Sequence, residues 1–292
     1  MKSNSLDFGV RLPITVVILT KNEEETVEGA ISSAREDYAE VVVLDSYSSD
    51  RTEELAEASG ARVVKKAFEG YASQRNFALH EMKKTTDWVF FLDADERISP
   101  ELTTELKRDF APLSKKAGML YLRRKDIFEG RWIKRSSGYP TWFGRLCHAP
   151  SVHVKREINE EYHCIRSTER LSEHLIHFPF AKGLSHWLDR HNRYSSLEAK
   201  TMVIGETVDT QLIFSRDPGL RRKGLKQIYM RLPFRPIAGF LYLYLVRGGF
   251  WDGKPGLRYA LLRSFYELMI SIKIDEIGAG KTGVAAKMKS GS

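Results

Sequence analysis

Short apolar runs, each closed by polar residues and followed by helical spacing, organise the first third of the chain. Ile14 to Leu19 is β-branched and uncharged, and gives way to Thr20-Lys21-Asn22-Glu23-Glu24 before Val27, Ala30 and Ile31 recur at helical intervals. Glu40 to Asp45 repeats the pattern and ends in Ser46-Tyr47-Ser48-Ser49-Asp50-Arg51-Thr52-Glu53, where Asp50 and Glu53 have the spacing of a capping box. Gly60 closes the helix after it, Ala61 to Val64 makes a third run, and Gly70 to Met82 reads as a helix carrying Gln74-Arg75-Asn76. The fourth run, Trp88 to Leu92, meets Asp93-Ala94-Asp95-Glu96, and Ser99-Pro100 then offers an N-cap and a first-turn proline. Runs that are apolar at successive positions, rather than alternate ones, belong to strands buried on both faces. Their alternation with helices over short connections predicts an α/β fold, a wound and mostly parallel sheet built by right-handed crossovers.

The pattern changes after Pro112. Aromatic and basic residues interleave through Tyr121, Phe128, Trp132, Tyr139, Trp142 and Phe143, with a strand expected at Gly118 to Leu122. Beyond about Leu197, charge and hydrophobicity separate. Arg216, Arg221, Arg222, Lys223, Lys226, Arg231 and Arg235 precede the apolar stretch Ile237 to Val246, and a second helix is expected over Leu257 to Ile274. The apolar stretch is too short to span a bilayer, and Arg235 and Arg247 flank it as they would an interfacial amphipathic helix. A helical cap or a homo-oligomer interface is the alternative use of these helices. The expected division is 11–110, 111–200, a basic helical segment at 201–277 and a flexible tail at 278–292.

Composition narrows the partners. A net charge of +8 over 292 residues calls for something anionic. Cys147 and Cys164 are the only cysteines, so no disulfide framework is expected, and the polar stretch Met1 to Arg11 lacks the apolar core of a signal peptide. Cys147, His148, His153, His163 and Cys164 lack the spacing of a structural zinc site.

The chemistry is expected where strands end. Asp93 and Asp95 lie just past a strand's carboxyl end, where open α/β sheets bind ligands, and oxygen ligands of this type suit magnesium or manganese on a phosphate. No basic residue near the pair is expected to stand in for the ion. The plain alternative is a solvated turn, because aspartate is common in turns.

Thr20-Lys21-Asn22-Glu23, Asp45-Ser46-Tyr47-Ser48-Ser49-Asp50-Arg51-Thr52 and Asp93-Ala94-Asp95, in that order, resemble the GT-A domain of family 2 glycosyltransferases. The Asp45 to Asp50 segment and the helix from Gly70 to Leu79 are similar to the bacterial WaaE-like and LgtF-like β-1,4-glucosyltransferases of lipopolysaccharide inner core. The resemblance implies a nucleotide-sugar-binding half at 11–110 and an acceptor-binding half at 111–200. It implies a UDP-sugar framed by Leu19, Thr20, Lys21 and Glu23, with Asp45 accepting from uracil, and Arg75, Asp93 and Ala94 near the diphosphate. Asp93 and Asp95 would hold Mg2+ or Mn2+. An inverting transfer needs a carboxylate base, for which Glu157 is the best match and Glu160 and Glu161 are alternatives. His177, in the segment Leu171 to His177, and Arg193 would meet the diphosphate or the acceptor. The acceptor would be a lipid-anchored saccharide, at an anionic membrane surface on the cytoplasmic face of the inner membrane. A polyprenyl-diphosphate-linked glycan is the alternative acceptor.

Other classes fit less well. A nucleotidyltransferase wants a glycine-rich phosphate loop after the first strand, and Thr20 to Glu24 contains no glycine. Asp45, Asp93, Asp95 and Glu96 would repel nucleic acid, so no nucleic-acid partner is expected. A non-catalytic nucleotide-binding scaffold stays open on sequence alone.

Overall fold

A computed structural model describes residues 11–155, 161–204, 212, 214–215, 218–229, 232 and 234–289. The chain forms two compact units. One holds the residues up to Ile127 together with Tyr139–Ala181, and the other holds Phe128–Gly138 and the chain from Lys182 onward.

The first unit is a wound sheet. Its elements are β1 (Leu12–Thr20), α1 (Val27–Ser32), β2 (Tyr38–Asp45), α2 (Thr52–Ala58), β3 (Arg62–Lys65), α3 (Tyr71–Asn76), β4 (Trp88–Asp93), β5 (Glu96–Ile98), α4 (Pro100–Lys116) and β6 (Ala117–Phe128). After the short β7 (Arg131–Trp132), which belongs to the other unit, come β8 (Trp142–His148), β9 (Val152–Lys155), β10 (Glu161–Cys164) and β11 (Ser167–His177). The strand order is β3-β2-β1-β4-β8-β6-β11-β5. Strands β1 to β4 pair in parallel, β8 runs antiparallel between β4 and β6, and β11 is parallel to β6 and antiparallel to β5. This is the GT-A arrangement that the resemblance implied.

The continuous apolar runs have the predicted cause. Val16, Ile18, Val43, Phe90 and Leu92 point to one face, where α1, α2 and α4 cover them with Ala30, Ile31, Ala56, Leu102 and Leu106. Val17, Val42, Leu44, Val89 and Phe91 point to the other, against Ala72, Leu79, Val152 and Val154. Ser99 caps α4 as expected, its hydroxyl accepting from the Leu102 amide at 3.2 Å. The expected capping box at Asp50 and Glu53 is not formed. Asp50 accepts from the Thr52 amide at 3.1 Å, and Glu53 turns away to Lys65 at 2.7 Å.

The second unit contains α5 (Gly183–Ile204), α6 (Pro218–Tyr229), α7 (Arg235–Leu241) and α8 (Gly253–Lys289). Helix α5, expected to close the preceding half near residue 200, packs along α8 instead. His191 stacks on Trp187 at 3.6 Å and meets Tyr266 edge-on at 5.1 Å, while Lys273 donates to the Asn192 carbonyl at 2.6 Å. Phe128–Gly138 joins this unit because the Asp252 carboxylate accepts from the backbone amides of Arg135 and Ser136 at 2.8 and 2.7 Å. One further expectation is corrected here. Arg235 does not flank an interfacial helix as a free cation, being 1% exposed and paired with Glu267 at 3.0 Å.

Candidate active site

Two loops at the carboxyl ends of β1 and β2 are laced together. The Asn22 amide donates to Ser48 Oγ at 2.7 Å, Ser49 N–H donates to Asn22 Oδ1 at 2.8 Å, and Glu23 N–H donates to Thr52 Oγ1 at 2.7 Å. The Lys21 ammonium donates to the Ser46 carbonyl at 3.1 Å and to that of Tyr47. Asn22 and Tyr47 both sit at positive φ, 56° and 59°, which is uncommon outside glycine and marks a backbone held by its surroundings. Asp45 anchors the pair. Thr20 Oγ1 donates to its Oδ1 at 2.8 Å and the Ser48 amide to its Oδ2 at 2.7 Å. With 1% exposure, Asp45 holds the two loops in position. Glu23 is half-buried with a carboxylate oxygen on the Thr26 hydroxyl at 2.7 Å, and Leu19 is half-buried at the end of β1.

A buried charge network lies beyond β4. Arg145 donates to Asp93 Oδ2 and to Glu96 Oε1, both at 2.7 Å, and Arg75 lies 3.7 Å from Asp93 Oδ1. Cations therefore do stand beside Asp93, contrary to the expectation that only a metal ion would. Desolvation opposes the Asp93 charge, but Arg145 and Arg75 outweigh it and hold that carboxyl well below the usual range. Burial pushes Glu96 the other way, above the carboxylate norm, with Arg145 opposing and Asp93 adding to the rise. Arg145 reaches this place through a local irregularity. Leu120 pairs with Leu146 and Tyr121 with Gly144, so Arg145 is the extra residue of a β-bulge, a device that re-aims a side chain. Met119 packs over Gly144 beside it, so that a Cβ there would stand 1.7 Å from Met119 Cε and the methionine would have to shift.

Asp95 has a different partner. Its Oδ2 lies 3.4 Å from His177 Nε2, and His177 Nδ1 lies 2.6 Å from Asp126 Oδ1. An ionised Asp126 only accepts, so Nδ1 carries the proton and the neutral ring turns its Nε2 lone pair toward Asp95. A lone pair and a carboxylate facing each other need a cation between them. A proton serves: burial and Arg124 push the His177 pKa down, yet the hydrogen bonds to Asp126 and Asp95 prevail and raise it. A metal ion serves equally, and a carboxylate behind a ligating imidazole is the usual support for one. The Asp93–Asp95 turn is fixed by Arg97, which donates to the carbonyls of Ala94 at 2.8 Å and Thr26 at 3.0 Å, and by the Phe178 amide on the Asp95 carbonyl at 2.9 Å.

The structure thus brings Arg75 to Asp93, His177 to Asp95, and Thr20 and Lys21 to the Asp45 loop. Arg193 is exposed on α5, in the other unit. Glu157 and Glu160 lie outside the described residues, and Glu161 is exposed in β10. Among the described residues, no three His, Cys, Asp or Glu side chains converge on one point; Asp93 and Asp95 take separate partners, Arg145 and His177. Sequence reasoning missed Arg145, Glu96, Arg124 and Asp126. An arginine inside the apolar strand Phe143-Gly144-Arg145-Leu146-Cys147 was the available signal, because a charge there must find a carboxylate.

Residues 15–166 match the profile described as glycosyl transferase family 2. The uncharacterized glycosyltransferase RP128 of Rickettsia prowazekii (strain Madrid E) is 37% identical over 284 residues, covering 90% of this chain and 87% of that protein. The lipopolysaccharide core biosynthesis glycosyltransferase LpsC of Rhizobium meliloti (strain 1021) is 27% identical over 284 residues, 90% of this chain and 92% of that protein. Among solved structures, the glucosyl-3-phosphoglycerate synthase of Mycobacterium tuberculosis in complex with Mn2+, UDP and glucosyl-3-phosphoglycerate is 31% identical, with a TM-score of 0.31. That match covers 39% of this chain and 44% of the solved one, less than half of its length and too partial a superposition to carry an argument. The wound sheet, the family profile across half the chain and relatives similar along nearly its full length agree: this chain belongs to glycosyl transferase family 2.

Proposed function

We propose that the protein transfers a hexose, glucose by its resemblance to the inner-core glucosyltransferases, from a UDP-sugar to a lipid-anchored saccharide with inversion at the anomeric carbon. The observation that carries this reading is the Asp95–His177–Asp126 array at the strand ends, beside the arginine-held Asp93. Asp95 and His177 would hold a divalent ion, for which the imidazole nitrogen suits Mn2+ better than the harder Mg2+. When bound, such an ion offsets charge on the departing diphosphate. Asp126 keeps the His177 ring oriented. Arg75 and Arg145 fix Asp93, and the laced loops from Lys21 and Tyr47 form the side on which a nucleoside would lie. The acceptor oxygen bonds to the anomeric carbon as its proton passes to a carboxylate and the bond to UDP breaks. Glu157 is the proposed proton acceptor. Replacing Glu157 by Gln is expected to lower turnover at least about a hundredfold without changing donor affinity. A near-normal rate, with Glu160→Gln or Glu161→Gln inactive, would move the base to one of those residues. The test of the whole reading is UDP release from a panel of nucleotide sugars with manganese and a core glycolipid. No release from any UDP-hexose overturns it.

The name of the Rhizobium relative supports a core lipopolysaccharide acceptor, and the second unit supports work at the cytoplasmic face of the inner membrane. Among the described residues no helix is long and apolar enough to cross a membrane. Yet Ile237, Tyr242, Leu245, Val246 and Trp251 are 58%, 51%, 54%, 75% and 65% exposed, and Leu261, Phe265, Leu268 and Ile272 make an exposed stripe at helical spacing on α8. Aromatic and aliphatic side chains with Arg247, Lys254 and Arg258 nearby in sequence suit an anionic lipid surface. Full-length protein is expected to sediment with anionic vesicles more than with neutral ones, and less so in high salt. Equal recovery with both, alongside a concentration-dependent dimer, would assign the apolar surface to a second copy of the chain.

A further inference from the structure

A second cationic feature lies in the first unit, on the strands that also build the buried network. Strands β6, β8 and β11 give Arg124, Arg145 and His177 to that network. The same strands give Arg123, Trp142, Arg170 and His174 to a separate cluster. Arg123 pairs in register with Trp142 on one side and with His174 on the other. The guanidinium carbons of Arg123 and Arg170 lie 5.1 and 5.0 Å from the centroid of the Trp142 ring, and Arg123 lies 5.7 Å from that of Tyr139. Tyr139 Oη meets His174 Nε2 at 2.7 Å.

Two guanidinium groups lie against one indole, Arg123 half-buried and Arg170 exposed. Among the described residues neither arginine has a carboxylate partner. The nearby acids are engaged elsewhere, Glu169 with Lys116 at 2.8 Å and Glu173 with His174 at 3.5 Å. Arg123 donates to the Ser172 carbonyl, but its buried Nε has no hydrogen-bond partner among the described residues. Stacking on an aromatic ring uses the face of a guanidinium and leaves its N–H edge for a bidentate oxyanion. An anion bound at this cluster would supply the hydrogen bond that Arg123 Nε lacks and a counter-charge that both arginines lack.

We infer that Arg123, Arg170 and Trp142 form a subsite for an anionic substituent, a phosphate monoester or a carboxylate, on the saccharide acceptor. The inference rests on the reading of this unit as a sugar-transfer site and adds the chemical class of the acceptor. The donor does not satisfy it, because Arg75, Arg145 and the Asp95–His177 pair already define a diphosphate-side cluster on different residues.

The test is calorimetric titration of the full-length protein with glucose, glucose 6-phosphate, glucuronic acid and inorganic phosphate. At least one of the two anionic sugars is expected to bind about tenfold or more tighter than glucose, as charge-assisted pairing requires; which one does so tells phosphate from carboxylate. In the Arg123→Gln/Arg170→Gln protein that preference is expected to vanish, while UDP-hexose affinity stays unchanged. The exposed Arg170→Gln single variant, in which folding is not at risk, should lose part of the preference. Equal binding of glucose and both anionic sugars overturns the inference, as does a preference that survives both substitutions. Inorganic phosphate binding as tightly as either anionic sugar also overturns it, since that marks an adventitious anion site. UDP release from UDP-hexose is measured alongside. If release persists and the preference is absent, the subsite fails alone; if release is absent, the donor reading fails first.

Discussion

Removing either His177 or Asp95 by substitution with alanine is expected to lower sugar transfer by about a hundredfold or more and to abolish its response to added manganese. The two side chains face each other across 3.4 Å, and neither is replaced by a neighbour. Asp93 cannot take over, because Arg145 holds it at 2.7 Å and Arg75 stands 3.7 Å away. Chelation of the wild type should have the same effect as the substitutions and be reversed by manganese. Asp126→Asn tests the support rather than the ligand. It keeps a group near Nδ1 but removes the charge that fixes the imidazole, and it should weaken manganese affinity about tenfold to a hundredfold with a folded protein. Both the rate and the metal affinity need measuring, by UDP release and by manganese electron paramagnetic resonance. Full activity in chelator, or an Asp126→Asn protein with unchanged metal affinity, would show that the array is structural.

How far these assignments were legible in the sequence depended on whether their cause was local. Strands β1, β2 and β4 announced themselves because burial on both faces calls for long apolar runs, whereas the edge strand β3 is only half-buried at Val63 and Val64. The Ser99-Pro100 start of α4 was equally readable, since capping chemistry sits within one turn. Strands β5, β8 and β11 carry no comparable signature. β8 enters antiparallel between β4 and β6, and nothing in Trp142 to His148 says which strands it will join. The partners of the aspartates were hidden for the same reason, because Arg145 and His177 are brought to them only by the sheet's order. Asp95 and His177 were each singled out, but for separate roles. The misreading of Arg235 had another source: a basic run looks alike in sequence whether its members face lipid or close on a glutamate such as Glu267.

Arg145→Met is expected to cost about 3–5 kcal/mol of stability, because it leaves the buried Glu96 carboxylate without its main counter-charge. Glu96 is fully buried and Asp93 lies beside it, its amide donating to Glu96 Oε2 at 3.1 Å. Arg75 still stands 3.7 Å from Asp93, but the cation left beside Glu96, Arg124, is 3.6 Å away and shared with Asp126 at 2.9 Å. The variant can relieve the strain by protonating Glu96, whose pKa burial already raises in the intact protein. The sign of the resulting pH dependence is fixed. A carboxyl whose folded pKa exceeds its unfolded value binds protons more tightly when folded, so its contribution to stability is best at low pH. It is lost as pH rises from the unfolded carboxylate range, about 4.3 for glutamate, through the raised folded value. Arg145→Met should therefore be markedly more stable near pH 5 than near pH 8, where the wild type shows a smaller difference. Glu96→Gln added to Arg145→Met should recover part of the loss, since a neutral amide keeps an acceptor for the Asp93 amide without the charge. Chemical denaturation of the four proteins of this cycle measures the coupling. Additive effects of the two substitutions, or a variant whose stability rises with pH, would mean that Arg145 stabilises the bulge by packing and not by answering Glu96.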